Sequence, residues 1–133
     1  MAGAEAGRAT VKDSQMTDIN NMPMRIVIAD DHALVRGGVG ILIKTLHPAT
    51  ELIECNNYDK TLQVLDQPEP VDLLLLDLMM PGMDHIKSVK HICSSWPDVP
   101  VVVVSVREDM QTIREALRAG AVGYIRNSPG TQG

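Results

Sequence analysis

Aromatic side chains are almost absent from this sequence of 133 residues, which has one Trp, two Tyr and no Phe. A chain of this length has room for one domain with a single hydrophobic core. Because hydrophobic residues still make up 44% of the sequence, that core must be built from Val, Ile, Leu and Met. The composition is typical of a folded globular protein. It also leaves few rings that could stack on a flavin or a nucleotide.

Basic residues are also scarce, and the formal net charge is −5. Binding to the phosphates of DNA or RNA requires a stripe of Lys and Arg, and the sequence contains none. We therefore expect no direct contact between this chain and nucleic acid.

The sequence also has few cysteines and no long apolar run. Cys55 and Cys93 are far apart and form no C-x-x-C pair, which argues against a zinc finger or a dithiol redox site. Both are expected to be buried free thiols in a reducing compartment. The apolar runs are too short to cross a bilayer, and the first residues lack the apolar core of a secretion signal. We expect a cytoplasmic protein with no membrane contact.

The chain divides into a polar start and an ordered remainder. Residues 1–23 are small and polar without helical or strand periodicity, and are interpreted as a flexible arm or a remnant of cloning. Residues 24–133 are predicted to form the single domain.

Apolar runs and helical repeats alternate along that domain. Strands are predicted at 24–29, 50–55, 71–76, 100–104 and 121–125, and helices at 32–46, 58–65, 86–95 and 108–119. In the first helix, one broad apolar face is expected from Leu34, Val35, Val39, Leu42, Ile43 and Leu46. Strands three and four lack alternation, which indicates cover on both faces. The order of elements predicts a parallel α/β sheet wrapped by helices on both sides.

Acidic and hydroxyl side chains stand where the predicted strands end. Asp30 and Asp31 follow the first strand, Asp77 the third, and Ser105 the fourth. In an open parallel sheet, ligands bind beyond the carboxyl ends of the strands. Carboxylates crowded there repel one another unless a cation compensates, and Mg²⁺ prefers such oxygen ligands. A carboxylate beside Mg²⁺ can attack a phosphoryl group and form an acyl phosphate.

Four ordered motifs carry a specific resemblance. They are IVIADDH at 26–32, LLLLDLMMPGMD at 73–84, VVVVS at 101–105 and GAVGYI at 120–125. Together they resemble the receiver domain of bacterial two-component response regulators, over about residues 24–127. The Asp-Asp-His start is similar to the branch whose receivers precede a helix-turn-helix DNA-binding domain. The resemblance implies a flavodoxin-like doubly wound sheet with strand order 2-1-3-4-5, and a signalling switch that is not a metabolic enzyme.

The resemblance also implies roles for individual residues. Asp77 would accept a phosphoryl group from a sensor histidine kinase. Asp30, Asp31 and Asp77, with the backbone carbonyl of Met79, would hold Mg²⁺. Two further residues would form the switch. Ser105 would be a catalytic hydroxyl that moves toward the phosphoryl group, and Tyr124 would be an aromatic side chain that rotates as the hydroxyl moves.

Four features depart from the family pattern, one of which is Val106, after Ser105, where the family usually has a smaller residue. Asn127 stands where the family has a lysine that pairs with the phosphoryl group, so phosphorylation is expected to be slower or its signal weaker. His85 replaces a usual glycine. The residues after the fifth strand cannot form the fifth helix that covers one face of the sheet in a complete receiver. We expect that missing cover to cause homodimerisation, domain swapping or instability. DNA would then be reached only through an output domain absent from this sequence.

Other interpretations remain open at this point. Taken singly, Asp30-Asp31 would be a helix-capping pair, Ser105 a strand-end hydroxyl and Tyr124 an edge of the core. His32 and His85 are interpreted as solvated residues at helix starts and not as ligands, since neither has a partner at helical metal spacing. A degenerate receiver would act by binding without phosphorylation. A Mg²⁺-dependent phosphatase would want an acid at position 79, and a nucleotide-binding domain would want a phosphate-cradling loop.

Overall fold

Five strands and four helices alternate along the part of the chain that the structure describes, in the order that the apolar runs predict. The computed structural model describes residues 23–106 and 109–126. The elements are β1 Met24–Ala29, α1 Ala33–Leu46, β2 Thr50–Cys55, α2 Tyr58–Leu65, β3 Leu73–Asp77, α3 His85–Ser95, β4 Val101–Ser105, α4 Met110–Arg118 and β5 Gly123–Arg126. Within these ranges no helix is long and apolar enough to cross a membrane.

All strand pairs are parallel, and their order across the sheet is β2-β1-β3-β4-β5. This is the doubly wound order that the resemblance implies. The reversal of strand order falls between β1 and β3, where Ala29 pairs with Leu76. The residues that follow them, Asp30 and Asp77, therefore leave the sheet side by side.

One side of the sheet, the main face, holds the hydrophobic core. Its strand side chains are fully buried, as the exposures of Val27, Leu74, Leu76, Val101 and Val103 show. They belong to a cluster that also contains residues of three helices: Leu65 of α2, Val89 and Ile92 of α3, and Ala116 of α4. These helices therefore cover the main face, and aliphatic side chains fill the core as the composition predicts.

The opposite side, the second face, is covered unevenly. Ile26 and Ile28 of β1 are buried there, and α1 lies close enough over β2 that a Cβ on Gly40 would meet Leu52 Cδ1 at 3.3 Å. Over β3 and β4 the alternate residues, Leu75 and Val104 among them, are only half-buried. Ile125 of β5 is 52% exposed. The prediction that strands three and four are covered on both sides is therefore confirmed for the main face and only partly correct for the second face, where two of the five residues in each strand are half-buried.

The predicted apolar face of α1 is also only partly correct. Leu34 is 91% exposed and Leu46 75%, and Leu42 is exposed as well, whereas Val35, Val39 and Ile43 are half-buried. The repeat identified which residues share a side of the helix. It could not show which residues on this side would be covered by the sheet.

Candidate functional site

Three carboxylates and one imidazole meet at the carboxyl edge of the sheet. Single ligand atoms of Asp30, Asp31, His32 and Asp77 all lie within 4.8 Å of one another. Asp30 and Asp77 are held by the pairing of β1 with β3, and the Asp30 amide donates to the carbonyl of Cys55 over 2.9 Å. The structure therefore brings together the three acids that the sequence places at strand ends.

The cluster has a buried half and an exposed half. The side chains of Asp30 and Asp77 are 6% and 8% exposed, whereas those of Asp31 and His32 are 34% and 64% exposed.

Arg36 of α1 donates through Nη1 to the Asp30 carbonyl over 2.7 Å and through Nε to Glu54 over 3.0 Å. Arg36, the arginine of α1, therefore bonds to a backbone oxygen and to the Glu54 carboxylate.

Asp77 has one satisfied oxygen and one unsatisfied oxygen. Its Oδ1 accepts a hydrogen bond from the Met79 amide over 3.0 Å. Its Oδ2 is buried and finds no hydrogen-bond partner among the described residues. A buried oxygen without a partner costs free energy, so this atom is the one most in need of a cation or a covalent partner.

Burial is the first reason that the pKa of Asp77 rises, from 3.8 to about 6. The negative charges of Asp30 and Asp31 add to the rise, and the hydrogen bond from the Met79 amide opposes it. The carboxylate form of Asp77 is therefore destabilised by its surroundings, and a cation in the cluster would restore it.

His32 is a solvated residue at a helix start, as predicted, and its exposed ring also lies close to all three acids. Its Nδ1 lies 2.8 Å from Asp30 Oδ1, 3.2 Å from Asp31 Oδ1 and 3.8 Å from Asp77 Oδ2. The hydrogen bond to Asp30, and then the charges of Asp30 and Asp31, raise the pKa of His32 above 6.5. The direct succession Asp-Asp-His was the sequence signal. A search for ligands spaced along one helix misses an acid supplied by another strand.

The predicted switch residues lie on the neighbouring strands. Ser105 is buried at the end of β4, one residue beyond Val104, which pairs with Asp77. Tyr124 of β5 pairs with Val103 and is half-buried, on the same side of the sheet as Ser105. The role of the Met79 carbonyl stays a prediction. Asn127 lies outside the described residues.

The loop after β3 is held close to the site. The Tyr58 amide donates to the Pro81 carbonyl over 3.0 Å. Gly82 has φ +87°, where a Cβ would come within 3.0 Å of Tyr58 Cβ. His85 has φ +47° in the left-handed region, which favours glycine. The backbone at this position accounts for the usual glycine in the family that the sequence resembles.

Known proteins resemble this chain in sequence over most of its length. The response regulator receiver domain family matches residues 26–128. The glycerol metabolism activator of Pseudomonas putida is 38% identical over 109 residues, which are 81% of this chain and 49% of that protein. The nitrate/nitrite response regulator protein NarL of Escherichia coli K12 is 33% identical over 80% of this chain and 49% of its own length. The chain thus spans about half the length of these relatives.

Solved structures show the same architecture. A LuxR family DNA-binding response regulator from Silicibacter pomeroyi is 28% identical and superposes with a TM-score of 0.68, over 79% of this chain and 80% of that one. A CheY-like receiver domain protein from Methanospirillum hungatei superposes with a TM-score of 0.69 at 20% identity, over 78% of this chain and 81% of that one. The second likeness concerns the fold alone.

Proposed function

Because the chain belongs to the response regulator receiver domain family, we propose that it is a phosphorylation switch whose acceptor is Asp77. The observation that carries the proposal is the buried, unpartnered Oδ2 of Asp77 within the acidic cluster. A sensor histidine kinase would present a phosphohistidine. A carboxylate oxygen of Asp77 would attack its phosphorus, the P–N bond would break with its electron pair on the imidazole nitrogen, and an acyl phosphate would form.

Mg²⁺ fits the donors present in the site. Asp30, Asp31 and Asp77 offer carboxylate oxygens within one small volume, and the Met79 carbonyl is the fourth proposed ligand. When bound, the ion would offset the crowded negative charge and stabilise the oxygens of the transferring phosphoryl group. Asp30 and Asp77 are held by strand pairing and burial, so they would orient the attacking oxygen without a large rearrangement.

Ser105 and Tyr124 are the proposed switch. Ser105 would donate its hydroxyl to a phosphoryl oxygen, and Tyr124 would rotate on the same side of the sheet as the hydroxyl moves. Asn127 supplies an amide where the family has a lysine, so it would offer a hydrogen bond without a positive charge. We expect phosphotransfer to be slower than in an Asn127→Lys variant.

Transcriptional control is the proposed output. Several relatives are transcriptional regulators by name, among them a DegU protein from Brevibacillus brevis that is 29% identical over 80% of this chain. Since this chain spans about half of such relatives and its net charge is −5, DNA contact is assigned to an output domain outside it. The switch would act in the cytoplasm and would have no metabolic substrate.

Self-association is proposed for the open part of the second face. Leu75 and Val104 are half-buried there and Ile125 is half exposed, so aliphatic side chains over β3 to β5 keep part of their surface in contact with solvent. Burying such a surface against a second copy of the chain, by docking or by exchange of an element, would remove it from water.

The test of the switch is covalent modification. The protein is incubated with Mg²⁺ and a small phosphodonor, and intact mass is measured with and without the cation. We expect the mass of one phosphoryl group to be added to the wild type when Mg²⁺ is present. Asp77→Asn should abolish the addition, and Asp98→Asn, an exposed carboxylate after α3, should not. Modification that survives Asp77→Asn would refute the proposal.

A degenerate receiver is the second candidate, favoured by Asn127 in place of the family lysine. It would bind its partner without a phosphoryl group. In the same experiment a degenerate receiver would gain no mass, even with a cognate kinase and Mg²⁺. It would still bind its partner protein.

A further inference from the structure

His32 is the member of the cluster that a magnesium site does not require. We infer that its Nδ1 is a further ligand of the cation site, which then binds divalent transition-metal ions such as Co²⁺ and Ni²⁺ more tightly than Mg²⁺. The inference rests on the cation site of the proposed function and adds a nitrogen donor to it. The chemical class of the ligand is a divalent ion that accepts both carboxylate and imidazole.

The distances fit one shared ion. At a metal–ligand distance of about 2.1 Å, neighbouring ligands of an octahedron lie about 3.0 Å apart and opposite ligands about 4.2 Å. Nδ1 of His32 lies 2.8 Å from Asp30 Oδ1 and 3.2 Å from Asp31 Oδ1, which match neighbouring positions. Its 3.8 Å separation from Asp77 Oδ2 falls between the two values. The distances to Asp30 and Asp31 therefore suit a coordination shell, and binding of the ion would adjust the ring relative to Asp77.

A second, independent observation points to a bound cation. Asp77 Oδ2 is buried, its side chain is only 8% exposed, and it has no hydrogen-bond partner among the described residues. Proteins rarely leave such an oxygen unpaired, and here it belongs to the set of atoms within 4.8 Å of one another. An ion held between Asp77 and His32 would satisfy it.

The imidazole does not cap the helix, and its Nδ1 hydrogen bond with Asp30 Oδ1, at 2.8 Å, would be replaced by a bond to the ion. His32 is the N-cap residue of α1, and its side chain makes no capping hydrogen bond. The Asp30 oxygen accepts instead from the His32 backbone amide over 2.8 Å, which positions the residue whatever its ring does. The ring can therefore bind a metal, or be removed, without the loss of a helix cap.

Ligand chemistry then determines which ions gain. Mg²⁺ prefers oxygen and gains little from a nitrogen donor, whereas Co²⁺, Ni²⁺ and Zn²⁺ bind imidazole well. In a site made only of carboxylates, the relative affinities for these metal ions would depend on oxygen donors alone. With His32 included, the difference in affinity between Ni²⁺ and Mg²⁺ should widen, and the added part should depend on this one side chain.

The experiment compares metal affinities of three proteins by isothermal titration calorimetry: wild type, His32→Ala and His91→Ala. His91 is an exposed imidazole on α3 that packs edge-on against Trp96, so it controls for adventitious binding to surface histidine. We expect His32→Ala to weaken Co²⁺ and Ni²⁺ binding about tenfold or more and Mg²⁺ binding less than about twofold. His91→Ala should leave all three affinities unchanged.

A spectroscopic readout identifies the ligand directly. With Mn²⁺ in the site, pulsed electron paramagnetic resonance should detect a coordinated nitrogen that changes on ¹⁵N labelling of histidine and disappears in His32→Ala. If His32→Ala weakens Mg²⁺ and Ni²⁺ equally, or the nitrogen signal persists, the inference is overturned while the magnesium site stands. If Mg²⁺ binding does not depend on Asp30 and Asp77, the proposed function fails, and this inference fails with it.

Discussion

Replacing Asp77 with Asn should stabilise the folded protein at neutral pH when divalent cations are absent. The pKa of Asp77 is about 6 in the fold against an ordinary 3.8, chiefly because the carboxyl group is buried. The folded state therefore holds the proton more tightly than the unfolded state does, and ionisation of Asp77 opposes folding. The stability that this group contributes is complete below about pH 4 and is lost as the pH rises through about 6.

The magnitude follows from the two pKa values. The difference between 3.8 and about 6 corresponds to about 3 kcal/mol, since one pKa unit is worth about 1.4 kcal/mol. Because the side chain is only 8% exposed, little of this is screened by solvent. Asparagine has nearly the same shape and keeps an oxygen that can accept from the Met79 amide, so the variant removes the charge without removing that contact.

Urea unfolding at a series of pH values, in the presence of a chelator, measures the effect. We expect the free energy of unfolding of the variant, relative to that of the wild type, to increase by about 2 kcal/mol or more between pH 4 and pH 8. Asp98→Asn controls for the loss of one negative charge at an exposed position. A stability difference between Asp77→Asn and wild type that is the same at both ends of the pH series would refute the burial argument.

Two further predictions concern glycine and the open sheet face. Gly120→Ala should destabilise the fold by about 2 kcal/mol or more in thermal unfolding, because φ is +120° and the new Cβ would lie 2.7 Å from Cys93 Cβ. Gly38→Ala, with nothing within 4 Å in helix α1, should instead stabilise by about 1 kcal/mol, and equal effects would contradict the account. In sedimentation over a range of concentrations, the wild type should self-associate and Ile125→Glu should not; a wild type that stays monomeric throughout would disprove the proposed association.

Most of the fold could be predicted because its local signals agree with its tertiary structure. The bounds predicted for β1, β2 and α2 are those observed, at 24–29, 50–55 and 58–65. Strand β3 begins two residues later than predicted, at Leu73, because Asp72 is engaged at the strand entrance: its carboxylate accepts from the Arg25 amide over 2.8 Å. Capping by Asp109 likewise delays α4 to Met110.

The acids of the site were predictable for a different reason. In a parallel sheet, every strand ends at the same edge as its neighbours, so the position of Asp30 and Asp77 after apolar runs is enough to predict that they meet. The contact of His32 with Asp77 was not predictable in that way. It depends on how the chain turns between β1 and α1, which no periodicity in the sequence encodes. The exposure of Leu34 could not be predicted for a similar reason, since a helical repeat does not show which part of the protein packs against each side of the helix.

The site joins parts of the chain that differ in burial. Asp30 and Asp77 are nearly inaccessible and lie beside paired strands, whereas Asp31 and His32 are exposed at a helix start that lacks a side-chain cap. A cation shared by all four would hold the exposed pair against the buried pair, so part of its binding free energy would fix the start of α1 in place. The buried pair would then govern the reactivity of the acceptor oxygen, because burial already determines the pKa of Asp77. The exposed pair would govern which ion is bound and how tightly. Substitutions in the two pairs should therefore affect different steps, even though the atoms concerned lie within 4.8 Å of one another.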